Sequence, residues 1–247
     1  MHLRILLNFI TLCLLAASPA PAYDPVFSPE ISEVFTAAKS FFLPLAQSQN
    51  GTFRIEIDHD RETSSAGAYR PTETDFQITV DKGVLTNPRT TLDSLRMMIC
   101  HEGGHLFGGF PFMPAPPEWE GPVNEQGLSL FSAEGQADYY APYTCFAKLI
   151  QGTPAPQLQL PMGVVQQCDR KWGSDSESSQ SCQRAAQAAY DFLRLTWDFP
   201  ISFETLDTSQ VEATNNSTYP NRQCRLDTFL AGALQEPRPS CWFKKLP

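Results

Sequence analysis

The sequence predicts an α+β fold, a small, mostly antiparallel sheet packed on helices. Three observations carry that reading. Phe53, Ile55 and Ile57 alternate with polar residues, as do Phe76, Ile78 and Val80, which is the period of a half-buried strand. Ile31, Val34, Phe35, Ala38, Phe41 and Phe42 recur at helical spacing. Leu92 to Phe107 reads as a second helix, capped by Thr91 and stopped by Gly108-Gly109. With 247 residues, 42% hydrophobic and 18% charged, the chain can bury one sizeable core.

Residues 1–22 read as a signal peptide. Arg4 is the only charged residue before Asp24, and Ile5 to Ala17 is apolar apart from Asn8 and Thr11, too short to span a bilayer. Ala20-Pro21-Ala22 offers the small residues of a cleavage site before Tyr23. Bulky Leu12 in front of Cys13 argues against a lipid anchor. The remainder, 23–247, is then one domain, secreted or periplasmic, with no integral membrane segment after cleavage.

Ser28-Pro29-Glu30 opens the first helix, which should last until Pro44. Asn50-Gly51 turns the chain into the first strand, Arg61 to Thr74 is a polar loop, and Asp81-Lys82-Gly83 closes the second strand. The two strands lie next to each other in sequence, hence the antiparallel expectation. Phe110 to Gly121 is a proline-rich, rigid loop. A further helix starts near Ser132 and runs through Glu134, Asp138 and Cys145, kinked or cut short by Pro142. Ser174 to Ser181 reads as loop, Cys182 to Asp198 as helix with Trp197 on its apolar face, and Arg225 to Leu234 as a final helix.

The net charge of -9 repels phosphate backbones and anionic membrane surfaces, so nucleic acid is not an expected partner. Six cysteines remain after cleavage, an even number that in an exported chain suggests three disulfides. None forms a C-x-x-C pair, which argues against a structural zinc knuckle.

His101-Glu102-Gly103-Gly104-His105 is an H-E-x-x-H segment inside the second helix. Residues four apart stand one turn above each other, so the two imidazoles can bind one zinc ion, with Glu102 beside them as general base. A catalytic zinc needs a third protein ligand. His59, between Asp58 and Asp60, is the only other imidazole outside the signal peptide and reads better as a solvated loop residue. Glu134 is the better candidate, with Asp138 one turn further on to accept a hydrogen bond from a ligand histidine. Glu125 competes from a loop with no paired carboxylate.

H-E-x-x-H followed by Glu134-Gly135-Gln136-Ala137-Asp138 resembles the glutamate-zincin metallopeptidases, most nearly the M48-type, HtpX-like peptidases with their E-x-x-A-D helix. That family carries Thr-His-Pro and then an arginine; here Thr218-Tyr219-Pro220 precedes Arg225. The resemblance covers mainly residues 92–145 and 214–234. It departs in Tyr219, in the short gap between His105 and Glu134, and in lacking membrane helices.

The resemblance implies a zincin-like fold whose helices carry the ligands of one zinc ion per chain. The implied activity is endopeptidase action on a peptide or protein substrate by a zinc-activated water. Tyr219 is then the candidate donor to the developing oxyanion, and Arg225 a buried ion-pair residue fastening the last helix. Gln77 to Lys82 is the candidate edge strand for substrate. A Cys100–Cys145 bridge would staple the two ligand helices, leaving Cys168–Cys182 and Cys224–Cys241 as the simplest remaining pairs. The alternatives are a non-catalytic protein that retains zinc, and a disulfide-stapled extracellular binding protein with a chance motif.

Overall fold

A computed structural model describes residues 28–196 and 199–245. The expected signal peptide, its cleavage site, Trp197 and Asp198 lie outside the described residues.

Helix α1 (Pro29–Gln47) begins with Pro29 in its first turn; Ser28 sits at the cap position, with no side-chain capping bond. The helix continues past Pro44 and buries Val34, Ala38, Phe42 and Ala46, one i, i+4 stripe. Strands β1 (Thr52–Asp58), β2 (Ala66–Tyr69) and β3 (Asp75–Asp81) form a sheet in the order β1-β3-β2. β2 pairs antiparallel to β3, but β1 and β3 run parallel, with Phe53 beside Phe76 and Ile55 beside Ile78.

The sheet is therefore mixed, and the expectation of an antiparallel first pair is corrected. The polar segment read as a loop makes an antiparallel return as β2, so β3 re-enters between β1 and β2 in the direction of β1. Arg70 helps hold that return: its Nη1 donates to the Leu130 carbonyl at 3.2 Å, and its guanidinium carbon lies 4.4 Å from the Phe76 ring centroid.

After α2 (Lys82–Thr86), α3 (Leu92–Phe107) runs through the middle of the molecule. Its start is a reciprocal cap: the Ser94 N–H donates to Thr91 Oγ1 at 3.0 Å, and the Thr91 N–H to Ser94 Oγ at 2.9 Å. All residues from Asp93 to Leu106 are buried. A helix buried on every side must find partners for each polar group it carries.

A second, two-stranded sheet pairs β4 (Phe112–Pro114) with β5 (Leu128–Ser132), so the proline-rich loop contains a short strand. Ser132 ends β5, and α4 (Glu134–Tyr140) begins two residues later. Pro142 has no N–H to continue the α pattern, and the chain passes it as a π-helical stretch (Ala141–Phe146) before α5 (Ala147–Leu149).

α6 (Met162–Trp172) was not expected from the sequence. α7 (Glu177–Thr196) starts inside the segment read as loop, and α8 (Arg222–Ala233) starts three residues before Arg225. α3 packs against α1, α4, α7 and the sheet, and α8 closes over α4 and α7. Phe42, Phe76 and Phe107 stack between α1, the sheet and α3. Disulfides join Cys100 to Cys145, Cys168 to Cys182 and Cys224 to Cys241. No helix among the described residues is long and apolar enough to cross a membrane.

Candidate metal centre

His101 and His105 stand one turn apart on α3, and Glu134 is the first residue of α4. His101 Nε2 lies 3.2 Å from His105 Nε2, and Glu134 Oε2 lies 3.4 and 3.6 Å from those two nitrogens. Metal–donor bonds of about 2.0–2.1 Å at tetrahedral angles require donors about 3.3–3.4 Å apart. The three atoms thus form one face of a tetrahedron that could hold a metal ion.

All three residues are buried. Glu134 Oε2 has no hydrogen-bond partner although it is shielded from solvent, and a metal ion would satisfy it. His59 and Glu125 are not in the group. His59 follows β1 in a separate surface depression with Asp58 and Asp60, and Glu125 lies exposed in the turn before β5.

Each imidazole has a protein oxygen behind its far nitrogen. His101 Nδ1 lies 2.9 Å from Asp138 Oδ1, and His105 Nδ1 lies 2.8 Å from the Ser132 carbonyl oxygen. A carbonyl only accepts, so His105 carries its proton on Nδ1 and offers Nε2 as a lone pair. Ser132 was missed in the sequence because the contact is made by its backbone.

Asp138 is fully buried, and Arg225 of α8 grips it with Nε and Nη2 at 2.7 Å each. Arg225 Nη2 also comes within 3.9 Å of Glu134 Oε2. Arg225 is thus the buried ion-pair residue anticipated for the last helix, and it ties α8 to the second ligand helix.

Burial alone would lower the His101 pKa. Asp138, Glu134 and Glu102 outweigh it and raise the value to about 10. Burial works upward on Glu134, but His105 and His101 hold its carboxyl far below the usual carboxylate range. Glu102 goes the other way: burial pushes its pKa up, with Glu134 adding to the shift and His101, His105 and Arg225 opposing it.

Glu102, Tyr219 and Arg225 line a small pocket of about 100 Å³ beside His101. Its apolar wall is Met98, Phe192 and Leu193, and Ala66, at the start of β2, borders it. Tyr219 is largely exposed yet lines this pocket, and burial together with the Glu134 carboxylate raises its pKa. The expected edge strand, Gln77 to Lys82, does not border the site as an edge. β3 lies between β1 and β2, and β2 is the edge strand on that side.

No protein-family model, curated protein or solved structure matches this chain.

The two glycines of the motif make that geometry possible. A Cβ on Gly104 would lie 2.7 Å from Cα of Ala137 in α4, and one on Gly103 would lie 2.0 Å from the Phe42 ring. Any larger residue at Gly104 would push α4, and Glu134 with it, away from the histidines.

Proposed function

We propose that the chain is an exported, zinc-dependent endopeptidase with a zincin-like fold. One observation carries the proposal: beside the donor triangle of His101, His105 and Glu134, with edges of 3.2, 3.4 and 3.6 Å, Glu102 lines a pocket that His101 also borders. Two imidazoles and a carboxylate at tetrahedral spacing suit zinc, and three protein ligands leave one position for chemistry. A structural zinc has no use for a buried glutamate such as Glu102. The three disulfides agree with export.

Zinc, when bound, supplies a Lewis acid that polarises the scissile carbonyl and acidifies water. Glu102 takes the proton of the attacking water and passes it to the nitrogen of the leaving amine; its raised pKa suits that transfer. Tyr219, kept protonated by its own raised pKa, donates its O–H to the oxygen on which charge develops. Asp138 holds the His101 ring, and Arg225 holds Asp138. The substrate backbone lies along β2, whose outer edge has no strand partner among the described residues.

Hydrolysis of quenched fluorescent peptides tests this reading. The mature chain should cleave them, a chelator should stop it, and Glu102→Gln should lower kcat by about 10²–10⁴-fold while keeping its metal. A metal-loaded protein that cleaves no peptide or protein would establish the non-catalytic reading instead.

A further inference from the structure

A second cavity lies at the opposite end of α3 from the metal ligands. It has a volume of about 440 Å³. Its floor holds Arg96 of α3 and Arg184 of α7, which are 5% and 6% exposed and so withdrawn from bulk water. Both share one carboxylate. Arg184 Nε and Nη2 reach Asp93 Oδ2 and Oδ1 at 3.0 and 2.9 Å, and Arg96 Nη1 reaches Asp93 Oδ1 at 2.7 Å. Two guanidinium ions on one carboxylate leave a buried unit of positive charge uncompensated, an arrangement that costs free energy unless an anion joins it.

The two arginines are not equivalent. Arg184 engages protein through all three of its nitrogens, since Nη2 and Nη1 also reach Thr153 Oγ1 and its carbonyl at 3.1 and 3.4 Å. Among the described residues Arg96 makes one hydrogen bond, through Nη1, and its Nε, enclosed within the protein, has no partner. Asp191, the other carboxylate on the lining, makes no ion pair with either arginine among the described residues: it accepts from Gln187 Nε2 at 2.9 Å, and burial and the neighbouring Asp93 carboxylate raise its pKa against the pull of Gln187 and Arg194. The first turn of α3 faces the same cavity, and its dipole adds positive potential. Leu92, Pro154 and Pro156 give the cavity an apolar wall, while Gln157 and Gln159 bring amides to the rim.

We propose that this cavity binds a small carboxylate, either a free organic acid with a short apolar body or the C terminus of a peptide, with Arg96 receiving the carboxylate and the prolines packing the body. The site begins about 7.5 Å along α3 from His101 and uses none of the metal ligands. It therefore stands or falls independently of the peptidase reading.

Calorimetric titration of the mature chain with propionate, N-acetyl-dialanine and N-acetyl-dialanine amide tests it, with thermal melting alongside. At least one of the acids should bind saturably and raise the Tm, and the amide should do neither. Tight binding of propionate identifies a free acid as the ligand, and a preference for N-acetyl-dialanine identifies a peptide C terminus. Arg96→Gln leaves Asp93 and Arg184 as a one-to-one pair and should weaken binding at least about tenfold, the loss of one charge-assisted contact. Pro156→Trp closes the exposed mouth without touching the ion pairs and should abolish binding, so the test survives if the arginine variant fails to fold. An amide that binds as tightly as its acid, or neither acid binding, would overturn the proposal. So would unchanged affinity in folded Arg96→Gln or Pro156→Trp.

Discussion

Each imidazole at the candidate metal centre is held from behind, and that determines what single substitutions should do. His101 leans on Asp138, and His105 on the Ser132 carbonyl. Asp138→Asn should weaken metal binding by about 10–100-fold, read by competition with a chromophoric chelator. It should also cost about 3–5 kcal/mol of stability by leaving the Arg225 guanidinium buried without its counter-ion, read by denaturant titration. A second residue-scale prediction concerns protons. His101, with its pKa near 10, is charged at neutral pH in the metal-free protein, and a metal ligand must be neutral. Metal uptake at pH 7 should therefore release protons, and calorimetry in buffers of different ionisation enthalpy should give different apparent heats. Equal heats would show that the imidazoles are already neutral. Tyr219→Phe should lower kcat by about 10²–10³-fold with little change in KM if the phenol acts on the oxyanion. The same loss in KM alone would make it a binding residue.

At the scale of elements, α3 and α4 meet closely because glycine allows it. Gly104→Ala puts a methyl group against the α4 backbone and should cost about 1–3 kcal/mol, with metal affinity falling as Glu134 is displaced. Gly103→Ala meets the Phe42 ring rather than α4, so it should lower stability with a smaller effect on metal. Thermal melting with and without metal separates the two. The elements also show what the chain reveals locally. α3 was legible because both its signals are local, a capping threonine and a terminal glycine pair. Glu134 and Asp138 were legible because four-residue spacing on a helix puts them on one face. β2 was not: four residues, Ala66-Gly67-Ala68-Tyr69, carry no alternation, and only pairing with β3 makes them a strand. The parallel register of β1 and β3 follows from that missed return. The start of α4 was placed at Ser132 because the strand before it is held by β4, a partner more than a dozen residues upstream.

At the scale of the whole molecule, two of the three disulfides sit where the site is tied together. Cys100 adjoins His101 and bridges to the π-helical stretch after α4, and Cys224 adjoins Arg225. The sequence suggested the Cys100–Cys145 pair because both cysteines stand near expected ligands, and the other two pairs were what remained. Closing the 45-residue separation between Cys100 and Cys145 restricts the unfolded chain by about 4 kcal/mol in the loop-entropy picture. A Cys100→Ser, Cys145→Ser double variant should melt well below the parent chain, and added metal should recover part of the loss because the metal joins the same two helices.

The central claim is that His101, His105 and Glu134 hold one metal ion. Elemental analysis of the purified mature chain, beside Glu134→Gln, tests it most directly. The account predicts about one zinc per chain in the parent and sharply less in the variant. Metal-free protein that stays empty after reconstitution with zinc, or a Glu134→Gln variant that binds zinc as tightly as the parent, would contradict it.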